Sequence, residues 1–280
     1  MDELQQYLKS VAPNRIIIGK PECNLLVVGY EKEKITKIKT LLLTVGCSDI
    51  TSENSCINEL RSKYREDNTF KNLFNHGKHL ADIANISFVM VAYKSKSPDE
   101  IDESYLNTMH FVSKQIYPIS TEPQMHSSEE FVSYIYNLLG KKFTDSGTYK
   151  SKNKSLADAF HIWSRNKLSA HIIKQDFDAI YYDEKYAMIE VKRSPTKTLQ
   201  EWAPYADDKR NYDIQFKISQ IMKAPFFTFH HNGIPCQSDT LVGCYRIYSV
   251  NALEKNWITY EKEIIKLESI ISKLREATNE

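Results

Sequence analysis

An α/β architecture in two parts is what this 280-residue chain predicts. Three observations lead there. The length exceeds the commonest single-domain size, so two cores are expected. Runs rich in β-branched residues alternate with amphipathic runs of helical period, the pattern of layered α/β structure. The 41% hydrophobic content is ample for burial, while 26% charged residues suit a water-exposed surface. The expected division is a small N-terminal α/β domain over 1–123 and a C-terminal α/β domain over 124–280. The latter is expected to hold a mixed central sheet flanked by helices and to end in a long helix over 251–277.

The first part opens with a short helix, then the strand-like runs RIIIG and NLLVVGY. In EKEKITKIKTLLLTVG, Ile35, Ile38, Leu42 and Val45 fall at helical spacing with Gly46 as a stop, which predicts a helix. CSDITSENSCINELRSKYRED reads as a short strand and a capped helix. ISFVMVAYK is a continuous apolar run of the kind a buried parallel strand needs. DEIDESYLNTMHFVSKQ, acidic in its first turn, predicts a helix, and IYPIS a short strand. STEPQMHSS, residues 120–128, is the expected linker.

Beyond it, SEEFVSYIYNLLGKKF predicts a helix ended by Gly140, and TDSGTYKSKNKS a polar loop. SLADAFHIWSRNKLSA is a second helix with Ser155 at its N-cap. The strands HIIKQDFDAIYYD and YAMIEVKRS follow, joined at DEK, then amphipathic NYDIQFKISQIMKA and the strands PFFTFHH and GCYRIYSV. Towards the end Leu253, Trp257, Tyr260, Ile264, Leu267, Ile271 and Leu274 recur at alternating steps of four and three. That heptad is either a seam joining two copies into a homodimer or the apolar stripe of a helix docked on its own domain.

Composition excludes several classes. No run approaches the ~20 apolar residues of a membrane helix, and MDELQQYLKS lacks the apolar stretch of a secretory signal. A cytoplasmic protein with no membrane partner is expected. The five cysteines form no C-x-x-C pair, which fits reduced, buried thiols better than a disulfide framework or a thiolate zinc site. A net charge of +1 carries no global nucleic-acid signature. Locally, residues 141–174 hold eight Lys or Arg, among them Lys152, Lys154, Arg165 and Lys167, against Asp145 and Asp158. Such a stretch can neutralise phosphates or be a solvated face.

The chemistry concentrates in DFDAIYYDEKYAMIEVKRSP, residues 176–195. Strand side chains alternate, so Glu190 and Lys192 share a face and Val191 turns to the other. A tight turn at Asp183-Glu184-Lys185 would fold the two strands antiparallel and set Asp178 opposite Glu190, where Cβ atoms lie about 5 Å apart. Two carboxylates there repel unless a cation sits between them. A hard divalent ion such as Mg²⁺, with Mn²⁺ as a substitute, suits that oxygen cage. A lysine on the same face completes the parts of metal-assisted phosphodiester hydrolysis.

Asp178 followed by Glu190-Val191-Lys192 resembles the motif of the PD-(D/E)xK nuclease superfamily, the restriction-endonuclease-like proteins, over roughly residues 126–235. The resemblance implies a restriction-endonuclease-like core and a Mg²⁺-dependent endonuclease of restriction, repair or phage-defence type, with DNA favoured over RNA as its partner. It implies that Asp178, Glu190 and the Val191 carbonyl bind the metal and that Lys192 readies the attacking water. The family also carries an acid on the helix before its first strand. Asp158 is the nearer candidate, Glu129 or Glu130 the alternative. The helix after the motif often adds a polar residue, for which Gln215 and Lys217 both stand ready. Arg193, Lys209 and Arg210 join the four basic residues above as phosphate contacts. The rival expectation is a non-catalytic module that keeps the fold to bind nucleic acid or protein; a third is an assembly subunit working through its last helix.

Other clusters carry less. His76 and His79 in HGKH have no third ligand nearby, and the glycine suggests a loop. His230 and His231 end a strand, and His161 flanks Trp163 on a helix. EWAPYADDKRNY interleaves Trp202, Tyr205 and Tyr212 with cations, which suits either base stacking or a small hydrophobic cap.

Overall fold

The computed structural model describes the chain apart from residues 33–34, 49, 98–99, 112–122, 143–158, 234–236 and 252. The protein is a mixed α/β structure made of two compact units, and the chain passes from the first to the second and back. The terminal unit joins Met1–Gly19 to Phe177–Glu280, and the inserted unit is Lys20–Asp176. The expected boundary near residue 123 is therefore corrected. Gln124–His126, inside the expected linker, pairs as a strand with the sheet of the inserted unit, and the helices after it pack on that same sheet.

The terminal unit begins with helix α1 (Glu3–Val11) and strand β1 (Ile16–Ile17). The inserted unit then supplies β2 (Cys23–Lys32), β3 (Ile35–Cys47), α2 (Glu53–Glu66), α3 (Asn68–Ala84), β4 (Ser87–Ser97) and β5 (Glu100–Phe111). It closes with β6 (Gln124–His126), α4 (Ser128–Leu139), α5 (Ala159–Lys167) and β7 (Ile172–Asp176). Its sheet runs β6-β5-β4-β3-β2-β7, with β3 and β4 parallel as ISFVMVAYK predicts. Phe131, Ile135, Phe160 and Trp163 of α4 and α5 cover one face. Phe74 of α3 meets Phe88 and Phe111. Gly77 lies within α3, not in a loop, and glycine is needed there because a Cβ would come 2.8 Å from the Phe88 ring and 2.9 Å from Leu25.

Two expected helices are strands. Of EKEKITKIKTLLLTVG, the part from Ile35 on forms β3, held between β2 and β4, and Leu41, Leu42, Leu43 and Val45 are all buried. A run buried on both faces loses the alternation that marks a strand, and its β-branched content decides the outcome. EIDESYLNTMHF forms β5, antiparallel to β4, which buries Leu106 to Met109 without a break. IYPIS, the TDSGTYKSKNKS loop and Ser155 lie outside the described residues.

The terminal unit resumes with β8 (Ala179–Asp183), β9 (Lys185–Arg193), α6 (Lys209–Ile221), β10 (Phe226–His231), β11 (Leu241–Val250), β12 (Ile258–Lys266) and α7 (Ile270–Asn279). Its sheet runs β1-β8-β9-β10-β11-β12. Only β9 and β10 are parallel, and α6 is the crossover that such a pair requires. The expected 251–277 helix is corrected: a C-terminal helix is present but starts at Ile270, and Trp257, Tyr260 and Ile264 belong to or flank β12. The WITYEKEIIK run is rich in β-formers and finds a partner in β11. The seam that suggested a homodimer is thus split between strand and helix. Among the described residues no helix is long and apolar enough to cross a membrane.

Candidate functional site

The β8–β9 hairpin turns at Glu184, whose φ of 66° is the left-handed conformation a tight turn demands. Ala179 pairs with Ile189 and Tyr181 with Ala187, so one further step sets Asp178 opposite Glu190, as the motif predicts. Ile189 and Val191 face the apolar core shared with α1 and α7. Glu190 and Lys192 therefore face the other side, where α6 packs. Asp178 stands just before β8, and its Oδ2 accepts the Val191 N–H at 2.7 Å, in place of a strand carbonyl. N–H and C=O of one strand residue face the same edge, so the Val191 carbonyl is directed to that side too. From α1, Gln5 Nε2 donates to the Asp178 carbonyl at 2.7 Å and fixes this corner.

Glu190 is only 3% exposed. Its Oε1 is 2.8 Å from the Lys192 ammonium, and its Oε2 accepts from Gln215 Nε2 at 2.6 Å. The polar residue that α6 contributes is thus Gln215; Lys217 is paired instead with Asp213 at 2.7 Å. Lys192 also lies 3.2 Å from Asp208 Oδ2 and 5.8 Å from the centroid of the Tyr212 ring. Tyr212 in turn accepts a hydrogen bond from Thr228 at 3.1 Å. Burial works against charge on Lys192, but the Glu190 carboxylate, with Tyr212 and Asp208, outweighs it and holds the ammonium above the ordinary lysine range.

The remaining predicted residues scatter. Asp158, Lys152 and Lys154 lie outside the described residues. Arg165 and Lys167 sit on α5 of the inserted unit, with Lys167 paired to Glu103 at 2.9 Å. Glu130 of α4 serves the capping box with Ser127. In the terminal unit Arg193 is exposed at the end of β9, 3.7 Å from Glu3. Lys209 and Arg210 open α6; Lys209 donates to the Glu254 carbonyl at 3.2 Å. The aromatic run forms a cap rather than a stacking platform: Trp202 and Tyr212 are buried, and Trp202 stacks on His230 with centroids 4.6 Å apart. Only Tyr205 is exposed. His230 is fully buried, neither ring nitrogen has a hydrogen-bond partner, and burial, with nearby His231, Lys262 and Lys197, pushes it down to about 4.

Asp2, Glu3 and His231 form a second cluster, with one candidate ligand atom from each within 4.8 Å of the others. His231 Nδ1 accepts the Gly233 N–H at 3.2 Å, so the proton of a neutral ring sits on Nε2, which leaves no lone pair for a metal there. That Nε2 lies 2.8 Å from Asp2 Oδ1, a short contact outside hydrogen-bond alignment. Asp2 is also the N-cap of α1. Burial raises its carboxyl, and the His231 contact and the Leu4 N–H overcome it, leaving the group below the usual range. The cluster is a pinned helix end.

At the motif the donors do fit a hard cation. Two carboxylates and a backbone carbonyl are oxygen ligands of the kind Mg²⁺ takes, and an ammonium already lies against Glu190 at 2.8 Å. Asp208 and Thr228 escaped the sequence reading. Asp208 ends the DD pair before α6, a position that spells helix cap and gives no hint of its reach to Lys192. No family model, no curated protein and no solved structure matches the chain.

Proposed function

We propose that the protein is a metal-dependent nuclease that hydrolyses phosphodiester bonds, DNA before RNA, through Asp178, Glu190 and Lys192. One observation carries the reading: a buried carboxylate and an ammonium 2.8 Å apart share a sheet face, with a second acid in register on the neighbouring strand. The order of elements supports the resemblance to the PD-(D/E)xK superfamily. Helix α1, strand β1, the hairpin carrying the motif, then α6 and β10 surround the site in the sequence the resemblance implies, with residues 20–176 spliced between the first two strands. The helix before the first strand is then α1, whose Asp2 and Glu3 join Asp158 as candidates for that acid.

A bound Mg²⁺ supplies Lewis-acid polarisation and a more acidic water. Asp178, Glu190 and the Val191 carbonyl would hold it. Glu190 is kept in place by Gln215, and Asp178 by the Val191 amide and Gln5. Lys192 would donate to the attacking water or to a phosphoryl oxygen and stabilise charge that grows in the transition state.

The test is incubation with plasmid, linear and single-stranded DNA and with RNA, in Mg²⁺, Mn²⁺ or EDTA. Cleavage is expected with either metal and not with EDTA, and Lys192→Ala is expected to slow it by about 10²–10³. Cleavage untouched by that substitution, or binding without cleavage under every metal, rules the reading out.

A further inference from the structure

Asp208 ends the short 3-10 turn Ala206–Asp208 and occupies the N-cap of α6. With φ −92° and ψ 3° Asp208 continues that turn into the helix, so its side chain is not directed at the N–H groups of the first helical turn. The Asp208 side chain makes no capping bond. It extends instead to Lys192, which is therefore gripped by two carboxylates, Glu190 at 2.8 Å from its own strand and Asp208 at 3.2 Å from the approach to α6. Its carboxylate therefore places a second negative charge on one ammonium.

We infer that Asp208 is a positioning residue: it is the counterion that retains Lys192 when Glu190 turns to a divalent cation. The inference rests on the metal reading above. Glu190 Oε2 is engaged by Gln215 and Oε1 by Lys192, so an arriving cation competes with the ammonium for Oε1. The Lys192 side chain is only 21% exposed, and a charge deprived of its partner in such a place is poorly compensated by water. With Glu190 as its sole anchor, Lys192 and the cation would exclude one another. With Asp208 present both are held, side by side, which is what a lysine acting on a metal-bound water requires.

The test is Mn²⁺ affinity of the full chain, measured by electron paramagnetic resonance, in the wild type, Asp208→Asn, Lys192→Met and the double variant. Asp208→Asn is expected to weaken binding about tenfold while Lys192 is present, and less than about twofold in the Lys192→Met background. Asp208→Ser is the companion variant, because it removes the carboxylate and keeps a short polar side chain, so weaker binding in a chain with an undiminished melting temperature excludes a folding defect. Equal weakening with and without Lys192 would make Asp208 a ligand or a mere background charge and overturn the inference, leaving the metal reading intact. No effect of Asp208→Asn overturns it as well, and wild-type protein that binds no Mn²⁺ overturns both.

Discussion

The two faces of the terminal sheet are built from the same strands and differ in kind. Along β9, Ile189 and Val191 alternate with Glu190 and Lys192; along β10, Phe227 and Phe229 alternate with Thr228 and His230. The first set meets Leu4 and Leu8 of α1 and Ile270 and Leu274 of α7 in a wholly apolar core. The second set, under α6, buries Glu190, Thr228, His230 and Gln215 almost completely. Burying polar groups does little for stability even when they are paired. The first face is an apolar core, whereas the second adds a paired polar cluster to the packing of Phe226 against Tyr212 of α6, and that cluster contributes little to stability.

The largest effect that separates the faces is expected from Phe227→Ala, which should lower unfolding free energy by about 3–5 kcal/mol through an apolar cavity while leaving Mn²⁺ affinity unchanged. On the opposite face Glu190→Met alone should cost about 2–3 kcal/mol, because Lys192 loses its nearer partner; adding Lys192→Met should recover most of that loss. Denaturant titration measures both. A double variant no more stable than the single one would mean that the polar face does stabilise the fold.

His230 sharpens the contrast through pH. Its folded value is pushed from 6.5 to about 4, so between those limits the unfolded chain binds a proton that the folded one refuses. Stability should therefore fall by roughly 2–3 kcal/mol as pH drops across that window, and His230→Phe should flatten the dependence. The smallest effect belongs to neither face: Glu184→Asn in the hairpin turn should stabilise by about 0.5–1 kcal/mol, since asparagine tolerates a left-handed backbone.

How much of this was legible follows the same division. The hairpin, its turn and the opposed acids are readable because alternation of period two and a short polar turn leave one register. Helix α4 is readable from Ser127 and Gly140 at its ends. β3 and β5 are not, since burial on both faces removes the alternation that marks a strand. β12 is not, because steps of four and three in an amphipathic run can arise without a helix. The unit boundary is hidden for another reason: α1 and β1 join partners more than 160 residues away in the chain, and no local pattern announces that return. Asp208 and Gln5 are invisible on the same ground, as their contacts with the site are made across the fold.

The central claim is that Asp178 and Glu190 together hold a divalent cation beside Lys192. Isothermal titration of Mn²⁺ into the wild type, Asp178→Asn and Glu190→Gln tests it most directly. Saturable binding to the wild type, weakened at least about tenfold by either substitution, is the predicted result; binding that is absent, or that neither substitution changes, contradicts it.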